Sequence, residues 1–266
     1  YTTINTSTHN LANWSQTKSL PKKRIDHAMV AVNNYLYVIG GLEGLVAKDT
    51  VYVAQINPNG TLGDWNPTTS LPAARYDFAS VVVSGTIYVL GGADTSGTAQ
   101  STVYYATPNP STGAIGGWFT AAASLTYAIL GHTATAYNGA IYVIGGRGAT
   151  YYADVYYAFP SSGGDISSWT PATPLQQNLI YASALAFGAQ LYVAGGAAQN
   201  GSVLTNTIAS NLINPDGSIL PSAWVNSDVL SVARQRTAAV VSDDGWIYVI
   251  EGNQGTTGIV PLNTID

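Results

Sequence analysis

Apolar and polar positions fall into short runs that recur along the whole chain. Small and β-branched residues dominate residues 28–32, 78–83, 133–137, 183–187 and 238–241, strand-length runs that read as β-structure. Each is followed by a tight link: Asn33-Asn34, Ser84-Gly85, Asn138-Gly139, Gly188-Ala189 or Asp243-Asp244-Gly245. Asn-Gly is the strongest short hairpin signal, because both central residues of a type I′ turn need positive φ. A second strand contains a tyrosine, as in residues 36–39 and 141–144, and a third is apolar over residues 51–56, 103–107 and 155–159. A fourth carries a tryptophan. No stretch keeps an amphipathic helical period over about ten residues, so the chain is predicted to be all-β with minimal helix.

Two markers share one period. Trp14, Trp65, Trp118, Trp169 and Trp224 are spaced by 51, 53, 51 and 55 residues, with Trp246 off the series. Tyr37, Tyr88, Tyr142, Tyr192 and Tyr248 are spaced by 51, 54, 50 and 56, and each is followed by a Gly pair or, at the end, by Glu251-Gly252. The expected units are residues 15–65, 66–118, 119–169, 170–224, and 225–266 completed by 1–14. One four-stranded unit cannot cover both its faces; units of this length stacked radially bury them, which is the logic of a propeller.

A glycine pair after an apolar-Tyr-apolar strand, a later tryptophan, and Leu-Pro-x-x-Arg before the next unit together resemble the kelch repeat. The motif stands in Leu20-Pro21-Lys22-Lys23-Arg24 and Leu71-Pro72-Ala73-Ala74-Arg75; it is eroded at residues 125–129 and 175–179, and the fifth copy keeps only Arg234. The resemblance covers nearly the whole chain. It implies a five-bladed β-propeller of four-stranded antiparallel blades, fewer than the six or seven usual for kelch proteins. Residues 11–14 are expected to supply the outer strand of the fifth blade, whose third strand is residues 259–266. Excision from a longer array is the alternative.

Charge and composition narrow the function. Nine basic against 14 acidic residues give a net charge of −5, without the dense basic footprint that nucleic acid requires. No apolar run approaches a membrane-spanning helix. With no cysteine, disulfides, thiolate metal sites and thiol nucleophiles are excluded. Few lysines and abundant Thr, Ser, Asn, Gly and Tyr point to an extracellular or cell-surface protein, and a first residue other than Met to a processed or excised chain. His9, His27 and His132 read as fold residues, not metal ligands; no cofactor and no catalytic residue is expected.

The candidate site is the channel mouth. Four of the five arginines, Arg24, Arg75, Arg234 and Arg236, lie at or two residues after one repeat position, beside Asp26, Tyr76 and Asp77; Tyr181 is the fourth-unit counterpart, and Glu251 replaces a repeat glycine. Arginine presents a planar fork suited to carboxylates, so these residues are expected to form one electropositive patch for a protein segment or glycan bearing a carboxylate. Structural ion pairs, Arg24–Asp26, Arg75–Asp77 and Arg236–Glu251, are the competing reading. Off-pattern Tyr76, Tyr127, Tyr151, Tyr152 and Tyr181 are candidates for stacking on a ligand. Loops joining strands two to three and four to one vary between units and share one face, where binding residues concentrate. A non-enzymatic recognition module fits best; a carbohydrate-active enzyme resembling the kelch-type sugar epimerases, or a spacer without ligand, are the alternatives.

Overall fold

The computed structural model describes residues 1–265 apart from 3, 6, 9, 222, 223 and 256–260, so His9 and part of the last loop and strand lie outside the described residues. Among the described residues the fold is all-β and without helix. Four antiparallel sheets have four strands each. The first comprises Ala28–Val32, Tyr35–Ile39, Val51–Gln55 and Asn66–Thr68. The second comprises Ala79–Val83, Thr86–Leu90, Val103–Ala106 and Phe119–Thr120. Thr133–Tyr137, Ala140–Ile144, Val155–Ala158 and Thr170–Ala172 form the third. The fourth is Ser183–Phe187, Gln190–Ala194, Thr207–Leu212 and Val225–Val229. A fifth sheet pairs Ala238–Val241, Ile247–Asn253 and Pro261–Ile265.

The links between first and second strands turn as their sequences require. Both residues of Asn33-Asn34, Ser84-Gly85, Asn138-Gly139 and Gly188-Ala189 have φ between 47° and 81°, the type I′ signature. The tryptophans sit differently from the expectation: Trp65, Trp118, Trp169 and Trp224 each immediately precede the fourth strand instead of lying within it. There the indole reaches the end of the preceding sheet's outer strand, as Trp118 Nε1 donates to Thr69 O (2.9 Å) and Trp224 Nε1 to Thr173 O (3.0 Å).

The core lies between sheets. First strands pack against one another in chain order, and the main buried clusters draw side chains from adjacent sheets, as Tyr37, Ile39 and Val53 meet Ile87, Val89 and Tyr104. The repeat tyrosines reinforce this stacking: Tyr37, Tyr88 and Tyr142 are fully buried and donate to Gly113, Gly164 and Gly217 carbonyls in the next sheet's outer turn. Apolar burial between neighbours drives the arrangement, and a buried hydroxyl is tolerated because each finds its acceptor.

The N-terminal segment departs from the expected fourth strand of the fifth sheet. Leu11 bridges Ile4, Thr2 Oγ1 donates to Ala12 O, and Tyr1 and Ser15 exchange two bonds. The cause is local: Asn5 Oδ1 accepts the N–H groups of Ser7 and Thr8, a side-chain turn that folds the segment into its own hairpin. Trp14 is accordingly exposed.

Candidate functional site

Five residues at one repeat register form an inner rim. Asp26, Asp77, Gly131, Tyr181 and Arg236 all have positive φ, between 51° and 63°, and main-chain bonds link them in series. Asp77 N donates to Asp26 O (3.1 Å), Gly131 N to Asp77 O (2.8 Å), Tyr181 N to Gly131 O (2.7 Å) and Arg236 N to Tyr181 O (2.8 Å). The left-handed backbone aims the N–H of Asp77, Gly131, Tyr181 and Arg236 at the preceding sheet while the chain bends into the next first strand. Glycine tolerates that conformation freely; four non-glycine residues held in it mark a constrained site.

Side chains span the rim. The Arg236 Nη1 donates to both carboxylates, Asp26 Oδ1 and Asp77 Oδ1, the latter at 3.0 Å. Its Cζ lies 3.6 Å from the centroid of the Tyr181 ring, and Tyr181 OH donates to Asp77 Oδ2 at 3.0 Å. These groups, with His27, Gly131, His132 and Thr237, line an open cavity of about 310 Å³. Two carboxylates face one guanidinium there, so the pocket is acidic when both are ionised.

Protonation follows the geometry. Burial and the neighbouring Asp77 charge raise the Asp26 carboxyl above its usual range, against the opposing pull of Arg236. Burial together with the Asp77 charge pushes the Tyr181 phenol far up. For Arg236 burial opposes the charge, but Asp77, Tyr181 and Asp26 outweigh it and the net shift is upward. His132, fully buried, is pulled down to about 4 by desolvation, and His27 moves in the same direction through burial and the Arg24 charge.

The expected four-arginine patch is not formed. Arg24 turns into its own sheet, donating to Gly40 O (2.8 Å), Thr50 O and Thr50 Oγ1 over the Tyr52 ring. Arg75, 4% exposed, donates to Ala74 O and Thr102 Oγ1 over Tyr104. Arg234 is fully buried and bonds Val232 O, Ser231 Oγ and the Glu251 carbonyl. None of the three reaches the pocket lining. The expected pairs Arg24–Asp26, Arg75–Asp77 and Arg236–Glu251 give way to Arg236 with Asp26 and Asp77; Glu251 contributes a backbone carbonyl at positive φ instead. Tyr76 leaves the pocket too, packing with Ala93, Leu130 and Ile180 beneath the variable loops.

Of the nine predicted positions, the structure therefore unites Asp26, Asp77, Tyr181 and Arg236. The histidines beside them were read as fold residues, yet both line the cavity. Their signal was positional: each directly follows a rim residue. Among the described residues no group of three or more His, Asp or Glu is placed to hold a metal, and no helix is long and apolar enough to cross a membrane.

Comparison with known proteins gives a consistent picture. The kelch motif model matches residues 23–53. An F-box/kelch-repeat protein of Arabidopsis thaliana is 36% identical over 123 residues, 45% of this chain and 30% of that protein. A kelch repeat protein of Myxoma virus is 28% identical over 171 residues, 63% of this chain and 30% of that one. Beta-scruin of Limulus polyphemus is 24% identical across 88% of this chain, which corresponds to 25% of its own length. The chain thus spans less than a third of each of these relatives. The solved structure of YjhT superposes with a TM-score of 0.76 over 99% of this chain and 86% of that one, at 17% identity, a likeness of fold.

Proposed function

Because this chain is a kelch-repeat protein, we propose that it is a non-enzymatic recognition module binding a protein segment at the axial pocket. The observation that carries the reading is the convergence of Asp26, Asp77, Tyr181 and Arg236, from four different sheets, on one open cavity. A rigid frame holding polar groups under variable loops is the usual form of a binding site. The five sheets are, in this reading, blades of one five-bladed ring. Four main-chain rim bonds running from the first sheet to the fifth support it, as does the Arg236–Asp26 contact from the last sheet back to the first.

The ligand chemistry follows from the charges. A carboxylate would have to compete with Asp26 and Asp77 for the single guanidinium of Arg236. A segment presenting N–H or O–H donors to those two carboxylates matches better, and a glycan's hydroxyls satisfy the same requirement. Few lysines and abundant Thr, Ser, Asn, Gly and Tyr support placing the protein at the cell surface or outside the cell.

A second reading rests on Asp26. Burial and the Asp77 charge raise its carboxyl against the opposing pull of Arg236. A raised carboxyl in an open pocket is the raw material of acid–base chemistry, and it favours an enzyme of the sugar-epimerase kind as the second reading.

Peptide and glycan arrays probed with the purified protein, followed by calorimetry, test both. A peptide hit should weaken at least about tenfold in Asp77→Asn, as expected when a desolvated charged partner is neutralised, and be unchanged in Lys48→Ala. Hits indifferent to Asp77→Asn would remove the axial pocket from the reading. Turnover of a sugar that is abolished in Asp26→Asn would favour the enzyme.

A further inference from the structure

The repeat arginine is missing from two sheets, and the structure shows what became of the space. Equivalent positions follow from the hydrogen bonds. The second glycine of each pair donates to Arg75, Ile129, Leu179 and Arg234 carbonyls in turn, and the first glycine to Thr50, Thr102, Asp154 and Thr207. Strand register equates Tyr52, Tyr104, Tyr156 and Ala209, each opposite a valine of the second strand. In the first two sheets this place is filled from within: a guanidinium lies over the tyrosine, 5.1 Å and 5.5 Å from the ring centroids, and donates to the threonine hydroxyl.

In the third sheet Ile129 replaces the arginine and the gap is refilled. Tyr127 stacks on Tyr152 (4.5 Å, 7° between planes) and stands edge-on to Tyr156, leaving a cavity of only about 10 Å³. The fourth sheet has no such repair. Leu179 replaces the arginine and Ala209 the tyrosine, Thr207 keeps its place, and an open cavity of about 300 Å³ remains above the buried Trp224. Gln176, Gln177 and Asn226 give it a polar rim.

We propose that this cavity of the fourth sheet is a second binding site, separate from the axial pocket, and that its occupant is an arginine side chain presented by a partner protein. Three sheets of this chain place their own arginine at this register, and in the first two its hydrogen-bond acceptors include a threonine hydroxyl and main-chain carbonyls, with a ring beneath it. Neutral oxygens at this place therefore suffice for a guanidinium. Thr207 is retained, and the net charge of −5 favours the approach of a basic segment.

The test uses the intact protein and two blocked tripeptides, acetyl-Gly-Arg-Gly-amide and its citrulline analogue, which has nearly the same shape without the charge. Nuclear magnetic resonance titration should show millimolar binding of the arginine peptide, with shifts at the Leu175 and Leu179 methyls, and at least about tenfold weaker binding of citrulline. Leu179→Arg fills the cavity with the chain's own guanidinium and should abolish binding. If that variant does not fold, Ala209→Tyr serves instead: it restores the ring the guanidinium lies over and should tighten the arginine peptide a few-fold. Equal binding of both peptides, absence of any shift, binding that survives in folded Leu179→Arg, or Ala209→Tyr without tightening would each overturn the assignment.

Discussion

His132 carries the clearest consequence at the scale of single residues. It occupies the place that Phe78 takes in the second sheet, each lying against the second glycine of a pair: Cβ atoms built on Gly92 and Gly146 would fall 2.5 and 2.7 Å from their Cβ atoms. An imidazole there is buried and neutral, with its pKa lowered to about 4. Between pH 6.5 and about 4 the unfolded chain takes up a proton that the folded chain refuses, so stability falls as the pH drops through that window and is fully present above it. The loss amounts to ~3 kcal/mol at most. His132→Phe, a substitution the repeat itself makes, should flatten most of this dependence in urea denaturations at pH 7 and 4.5. The remainder belongs to His27, which shifts in the same direction.

The element that defines the repeat is the segment entering each first strand. Its arginine is a scaffold group: Arg75 satisfies a main-chain carbonyl and a threonine hydroxyl inside its own sheet. Truncation removes these bonds and leaves a cavity beside Tyr104. Arg75→Ala should therefore cost ~2–4 kcal/mol in thermal or chemical denaturation while leaving the affinity of an axial ligand intact. Asp77→Asn should do the reverse, with a small change in stability and a large one in binding. Equal effects on stability from the two would mean that the rim is scaffold as well. The glycine pair belongs to the same element, since a side chain at Gly92 (φ +86°) would clash with Phe78 and with the Tyr76 carbonyl.

For the whole molecule the contact that matters most to the proposed ring is the one between the last sheet and the first. Successive sheets are tied by main-chain rim bonds and by buried tyrosines reaching across. The fifth and first meet through Arg236 on Asp26. Removing that guanidinium leaves Asp26 and Asp77 facing each other without a counter-charge. Arg236→Ala should lower stability by about 1–2 kcal/mol at pH 7, less than a fully buried pair would lose, because a third of the side chain is solvated. The deficit should shrink as the pH falls into the carboxylate range, where protonation of Asp26 relieves the repulsion. Calorimetric scans of parent and variant at pH 7 and pH 4 check the sign; a deficit that grows in acid would rule out carboxylate repulsion as the cause.

The sequence by itself determined the all-β class, the repeat period, the bounds of the first strand of each sheet to within a residue and the type I′ hairpins, because each depends on local backbone preference and on apolar residues recurring at fixed intervals. It also aligned the five rim positions, since Asp26, Asp77, Gly131, Tyr181 and Arg236 hold one place in the repeat. Only the tertiary structure decided which arginine reaches the pocket. Repeat position alone grouped Arg24 with Asp26, Arg75 with Asp77, and Arg234 with Arg236 at one mouth. The rim residue takes a left-handed conformation, however, and the chain turns there: the first arginine of each register enters its own sheet and the second residue points to the pocket. Gly131 was the one copy whose identity disclosed that turn. The partners of Arg236 come from the first and second sheets, some 159 to 210 residues away, a distance that no local pattern spans. The self-paired N-terminal hairpin has a local cause instead, an Asn5 side-chain turn that competes with pairing to a distant sheet edge.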